Sequence, residues 1–78
     1  MIIETPKEFT PGFPVLTILG QIELSIENYN GLLEYTSECI RVRVKTGIII
    51  ITGERLFIDY YMNDEMKIRG RIIKIEYD

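Results

Sequence analysis

Ile40-Arg41-Val42-Arg43-Val44-Lys45-Thr46-Gly47-Ile48-Ile49-Ile50-Ile51 decides the fold class. In its first half Ile40, Val42 and Val44 alternate with Arg41, Arg43 and Lys45, the two-residue period of a strand with one buried and one solvated face. Thr46-Gly47 then reads as a tight turn, and Ile48–Ile51 is apolar on both faces. Four β-branched side chains in a row lose rotamers in a helix and pack well on a pleated surface. The run therefore predicts a strand covered twice, by the core and by a second layer, the N-terminal segment or another subunit. Left bare, it would be the most aggregation-prone window of the chain.

The flanking segments extend the same pattern. On the N-terminal side Ile18, Gly20, Ile22, Leu24 and Ile26 alternate with Gln21, Glu23, Ser25 and Glu27, which predicts one half-buried strand. Asn30-Gly31 has the residue types of a type I′ hairpin turn, pairing Tyr29 with Leu32, Glu27 with Glu34 and Ile26 with Tyr35. A turn over Thr36–Cys39 then sets Glu34 opposite Arg41 and Leu33 opposite Val42. On the C-terminal side Gly53 marks a phase change, from Ile49 and Ile51 facing inward to Leu56, Ile58 and Tyr60, and a bulge would absorb it. Pairing Tyr60 with Met66, Ile58 with Ile68 and Leu56 with Gly70 keeps the inner face apolar. A second phase change at Ile72-Ile73 turns Ile73, Ile75 and Tyr77 inward. Gly53 and Gly70 are each followed at three, five and seven residues by an apolar residue, a weak internal similarity.

These elements predict an all-β fold, a small antiparallel meander folded as a roll or two-layer sheet, with a short β-solenoid as the alternative. Composition agrees: the 78 residues include fifteen Ile, three Val and six Thr but no Ala. That length allows one core. Residues 1–14 hold Pro6, Pro11 and Pro14 with Phe9 and Phe13 and read as an irregular arm; residues 15–78 read as a single β domain.

Chemistry is conspicuous by its missing partners. There is no His, and the single cysteine, Cys39, allows neither an internal disulfide nor a thiolate metal cluster. No glycine-rich phosphate loop occurs. Asp59, Asp64 and Glu65 are the best acidic candidates, but their spacing matches no calcium or zinc motif. The expectation is a protein that is not an enzyme, with no cofactor, no metal and no small-molecule substrate. A single cysteine, the lack of a basic segment followed by an apolar run, and the lack of a long apolar stretch read as intracellular.

The sharper signal is a pair of basic stripes, Arg41/Arg43/Lys45 and Lys67/Arg69/Arg71. Their ordinary role is to give strands a charged solvent face that discourages edge pairing. A protein interface is the functional reading, with Ile48 and Ile50 as contact residues and Arg41, Arg43, Arg69 and Arg71 as a charged rim. A small single-stranded nucleic-acid-binding module is the alternative, disfavoured by a net charge of −3 and by Tyr60 and Tyr77 pointing inward, which leaves Tyr61 and Tyr29 as stacking residues.

The order of these elements adds a resemblance. Leu19-Gly20-Gln21-Ile22-Glu23-Leu24, Ile26 through Leu33, Ile50-Ile51-Thr52-Gly53, Leu56-Phe57-Ile58 and Met66 through Ile72 are similar to the YabP/YqfC family of sporulation proteins, and resemble its YqfC branch most closely. The likeness covers about residues 14–77. It implies a nonenzymatic accessory or assembly protein of forespore development, acting through protein contacts with itself or with a YqfD-like membrane protein. It further implies residence in the mother-cell cytoplasm, peripheral to the outer forespore membrane through that partner. It supplies no catalytic residue to transfer.

Overall fold

The computed structural model describes residues 12–78, so most of the expected arm, residues 1–11, lies outside the described residues. Six strands form: β1 (Val15–Leu19), β2 (Glu23–Glu27), β3 (Tyr29–Tyr35), β4 (Cys39–Val44), β5 (Gly47–Tyr61) and β6 (Glu65–Tyr77). Every pairing is antiparallel, in one sheet of order β1-β2-β6-β5-β4-β3. This is the expected all-β roll. The sheet ends at β1 and β3 and so is not a closed barrel, and antiparallel pairing throughout excludes solenoid rungs.

The two long strands make the roll. Of β6 only Glu65–Arg69 pairs with β2, and of β5 only Gly47–Thr52 pairs with β4. Each long strand therefore belongs to two four-stranded layers, one carrying β1 and β2, the other β4 and β3. Between them the β5–β6 ladder breaks, because Glu54 faces Arg71 and Phe57 faces Arg69, leaving Arg55 and Leu56 opposite Gly70 alone. Arg55 takes φ +53° and Gly70 φ +132°. A Cβ on Gly70 would lie 2.5 Å from the Arg55 carbonyl oxygen, and one on Gly53 would overlap the Arg71 carbonyl. Glycine is needed where two backbones approach this closely.

Breaking the ladder frees N–H groups, and the two short hairpins satisfy them. Gly53 and Leu56 donate to the Glu38 and Ser37 carbonyls (3.0 and 2.8 Å), while Gly70 and Ile72 donate to those of Ile22 and Gln21 (3.2 and 2.7 Å). The β3–β4 loop thus clamps β5 in the way the β1–β2 loop clamps β6. The glycine similarity in the sequence reflects this near-two-fold construction.

Inner-face residues from both layers form one core. Leu24, Ile26, Met66 and Ile68 come from the first layer, Ile40, Val42, Ile49 and Ile51 from the second, all fully buried. Full burial of such a side chain is worth about 1.5–3 kcal/mol. No polar or charged residue is buried among the described residues.

Several expected pairings hold: Glu34 opposite Arg41, Ile58 opposite Ile68, the turn at Thr36–Cys39, and a register shift at Thr52/Gly53; the turn expected at Thr46-Gly47 falls one residue earlier, on Lys45-Thr46, with Val44 opposite Gly47. Others do not. Residues 18–27 are not one strand but a hairpin, turned at Gly20 (φ +52°) and closed by the Ile22 N–H to Leu19 C=O bond of 3.2 Å. Ile18 lies opposite Leu24, so inward positions keep their parity across the turn and the alternation conceals it. Asn30-Gly31 is not a turn either. Asn28 takes the left-handed conformation, φ 64°, and its N–H donates to the Asp64 carbonyl at 2.7 Å, which turns the chain into β3 two residues earlier.

Smaller departures follow from bulges. A shift between Leu32 and Glu34 sets Leu32, not Leu33, opposite Val42. Tyr61 rather than Tyr60 faces Met66. Ile72 faces Gly53 and Lys74 faces Thr52, so Ile73 is an extra residue and is exposed instead of inward. Tyr77 pairs with Ile49 but stands at the strand end, where the layer runs out, and is 70% exposed.

Candidate functional site

β4 and β5 lie side by side in the second layer with Arg41 opposite Ile50 and Arg43 opposite Ile48. Directly opposed residues of antiparallel strands share a face. Because Ile49, Ile51, Val42 and Ile40 fill the core, these four side chains occupy the outer face together. Ile48 and Ile50 are half-buried there rather than bare. Glu76 flanks Ile50 from β6, and Ile48 exchanges backbone bonds with Asp78 (3.0 and 2.8 Å). Arg41 reaches Glu34 at 3.8 Å, and Arg43 is exposed without an ion pair among the described residues.

Arg69 and Arg71 do not complete this rim. Arg69 lies in the first layer, where Glu23 approaches at 3.5 Å and Asp59 at 3.9 Å, with Lys67 a further 3.7 Å neighbour of Glu23. Arg71 sits at the corner, 3.3 Å from Glu54. Such solvated pairs contribute roughly 0–1 kcal/mol each and mainly fix side-chain direction. Four of the six sequence candidates converge, and two stand elsewhere.

The reactive side chains stay apart. Burial, reinforced by Glu34 and opposed by Arg41, pushes the half-buried Cys39 thiol above its ordinary range, the reverse of nucleophile activation. Asp59 turns to Arg69, Glu65 accepts the Tyr60 hydroxyl at 2.8 Å, and the Asp64 carbonyl holds Asn28. No group of three or more His, Cys, Asp or Glu among the described residues could hold a metal ion. Tyr29 is buried, donates its hydroxyl to the Met62 carbonyl and stacks on Tyr61 with ring centres 5.4 Å apart. One member of the expected stacking pair is thereby taken into the fold.

No local pattern in the sequence announces a concavity at the corner between the layers. Open to solvent and about 890 Å³ in volume, it lies at the corner, walled by Ile22 and Phe57 with Glu38, Arg55 and Arg71 at its rim. Its residues come from four separate segments brought together by the loop clamps. The repeated Gly53 and Gly70 were the available signal.

The class these observations define is a small all-antiparallel β protein whose outer face sets apolar side chains between charges. The chain belongs to the YabP family, whose model matches residues 14–78, and with it to the YabP/YqfC group of bacterial sporulation proteins. It is 29% identical over 75 residues to "Uncharacterized protein YqfC" of Bacillus subtilis (strain 168), covering 96% of this chain and 81% of that protein. No solved structure matches it. Family and fold are consistent with a small non-catalytic, sporulation-associated protein acting through protein contacts.

Proposed function

We propose that this protein is a nonenzymatic accessory or assembly protein of forespore development, of the YqfC branch, and that it works in the mother cell. Its partners are a YqfD-like membrane protein, which holds it peripherally at the outer forespore membrane, and further copies of itself. The observation that supports a contact surface is the placement of Ile48 and Ile50 on the outer face between Arg41 and Arg43 on one side and Glu76 on the other. Apolar burial there would supply affinity, and the charges would set register and partner choice.

Affinity capture from sporulating cells, followed by mass measurement of the intact complex, tests the reading. Ile50→Glu should remove the membrane protein from the captured complex while far-UV circular dichroism of the purified variant stays unchanged, since residue 50 lies outside the core. Arg43→Glu should weaken capture at low salt and less so at high salt. Unchanged complex mass with both variants, or recovery of nucleic acid without protein, would overturn the proposal.

A further inference from the structure

Among the described residues the rolled sheet has four open backbone edges: the outer sides of β1 and β3, the second half of β5 beyond β4, and the second half of β6 beyond β2. Three carry their own protection. β3 is interrupted by register shifts at Tyr29/Gly31 and Leu32/Glu34 and bears Glu34. On β5 the Ser37 carbonyl takes the Leu56 N–H and the Tyr35 hydroxyl takes the Ile58 N–H at 2.9 Å. On β6 the Gln21 carbonyl takes the Ile72 N–H, and Lys74 and Glu76 follow along the strand. Bulges, charges and side-on caps are the devices that stop an edge from templating another strand.

Among the described residues β1 has none of them. Val15-Leu16-Thr17-Ile18-Leu19 carries no charge and no proline, pairs with β2 over five consecutive positions without a shift, and leaves Ile18 54% and Leu19 58% exposed. We propose that β1 pairs antiparallel with β1 of a second copy of this chain, about a two-fold axis at Thr17. The strand is complementary to its own reverse. Val15 meets Leu19, Leu16 meets Ile18, and Thr17 meets Thr17, so every apolar residue faces an apolar one.

Leu16 and Ile18 lie opposite the buried Ile26 and Leu24, hence on the inner face. The inner row of each first layer therefore continues into the other copy's, covering Ile18. A charged partner strand would find no counter-charge on β1, whereas a second copy leaves no polar side chain without a match. Pro14 before the strand and the Gly20 turn after it confine the contact to five residues per copy. The interface is accordingly small, below about 1,200 Å² in total, and the dimer weak and concentration-dependent. An isologous contact uses up the edge, so assembly through it stops at two.

This contact is separate from the Ile48/Ile50 surface in the other layer, and the test uses that separation. Sedimentation velocity of the purified full chain from micromolar to near-millimolar concentration should show monomer giving way to dimer. Thr17 is exposed and opposite Ser25 on the outer face, so its substitution leaves the core untouched. Thr17→Lys and Thr17→Glu should each hold the chain monomeric, because like charges would stand opposed on the axis. An equimolar mixture of the two variants should recover dimer, and Ile50→Glu should leave the purified dimer intact. A wild-type chain monomeric throughout, a dimer indifferent to Thr17→Lys, a mixture that stays monomeric, or a dimer lost in Ile50→Glu would overturn the proposal.

Discussion

An alanine at Gly70 would have to hold φ near +132° with its methyl 2.5 Å from the Arg55 carbonyl oxygen and 2.9 Å from Leu56 Cα. The unfavourable backbone alone costs about 1–3 kcal/mol, and the overlap adds to it. Gly70→Ala should therefore lower the denaturant midpoint sharply or prevent folding. Gly31 behaves in the opposite way: its φ is not positive, and a Cβ there meets nothing within 4 Å. Gly31→Ala should be neutral or stabilise by about 0.4–1 kcal/mol, through reduced freedom of the unfolded chain. A hairpin turn at Asn30-Gly31 would give loss of stability instead, so one denaturation curve separates the two geometries. Side-chain ionisation acts at the same scale. Tyr29 is raised by burial, then by Tyr61 and Asp64, and Tyr60 by its hydrogen bond to Glu65 and then by burial. Both keep their protons longer folded than unfolded, so their contribution is full below the ordinary tyrosine range and is lost as pH rises through and beyond it. Unfolding free energy should fall with rising alkalinity, less steeply in Tyr29→Phe.

At the scale of elements, the loop clamps carry the corner, and Thr36 holds one of them in shape. Its hydroxyl oxygen accepts the Cys39 and Glu38 N–H groups (2.9 and 3.2 Å), and the hydroxyl donates to the Cys39 carbonyl at 3.1 Å. Thr36→Val should cost about 1 kcal/mol. Amide exchange should quicken at Gly53 and Leu56, whose acceptors lie in that loop, and remain as it was at Gly70 and Ile72, which bond the other loop. Exchange that quickened equally at all four would mean that the corner opens as a unit. The turn at Thr36–Cys39 was legible because Glu34 and Arg41 fix the register on both sides of it. The turn at Gly20 was not, because pairing Ile18 with Leu24 preserves the inward parity that a continuous strand would show. Asn30-Gly31 had the right residues for a turn, but the bond from the Asn28 N–H to Asp64, 36 residues away in sequence, is invisible to local pattern.

For the whole molecule, stability rests on one shared core, so a cavity in either layer weakens both. Ile26→Ala in the first layer and Ile51→Ala in the second should each cost about 2–5 kcal/mol, a large part of the roughly 5–15 kcal/mol available to a natural domain. Fluorescence and far-UV circular dichroism should report one coincident transition in each variant; separate transitions would show that the layers unfold independently. The sequence by itself determined the all-β class, the buried identity of Ile49 and Ile51, and the sharing of one outer face by Arg41, Arg43, Ile48 and Ile50. Each of these depends on neighbours along one strand or across one short turn, where a period of two is enough. Only the tertiary structure decided that β2 lies against β6 and that the bend the phase change marks at Gly53 is matched by one at Gly70 on the facing strand. It also sent Arg69 and Arg71 away from the isoleucine face and placed β1 at the end of the sheet among the described residues. Those outcomes come from pairing between segments distant in the chain, where the gain from joining two half-layers into one core outweighs local turn preference, and no period within a single segment encodes that choice.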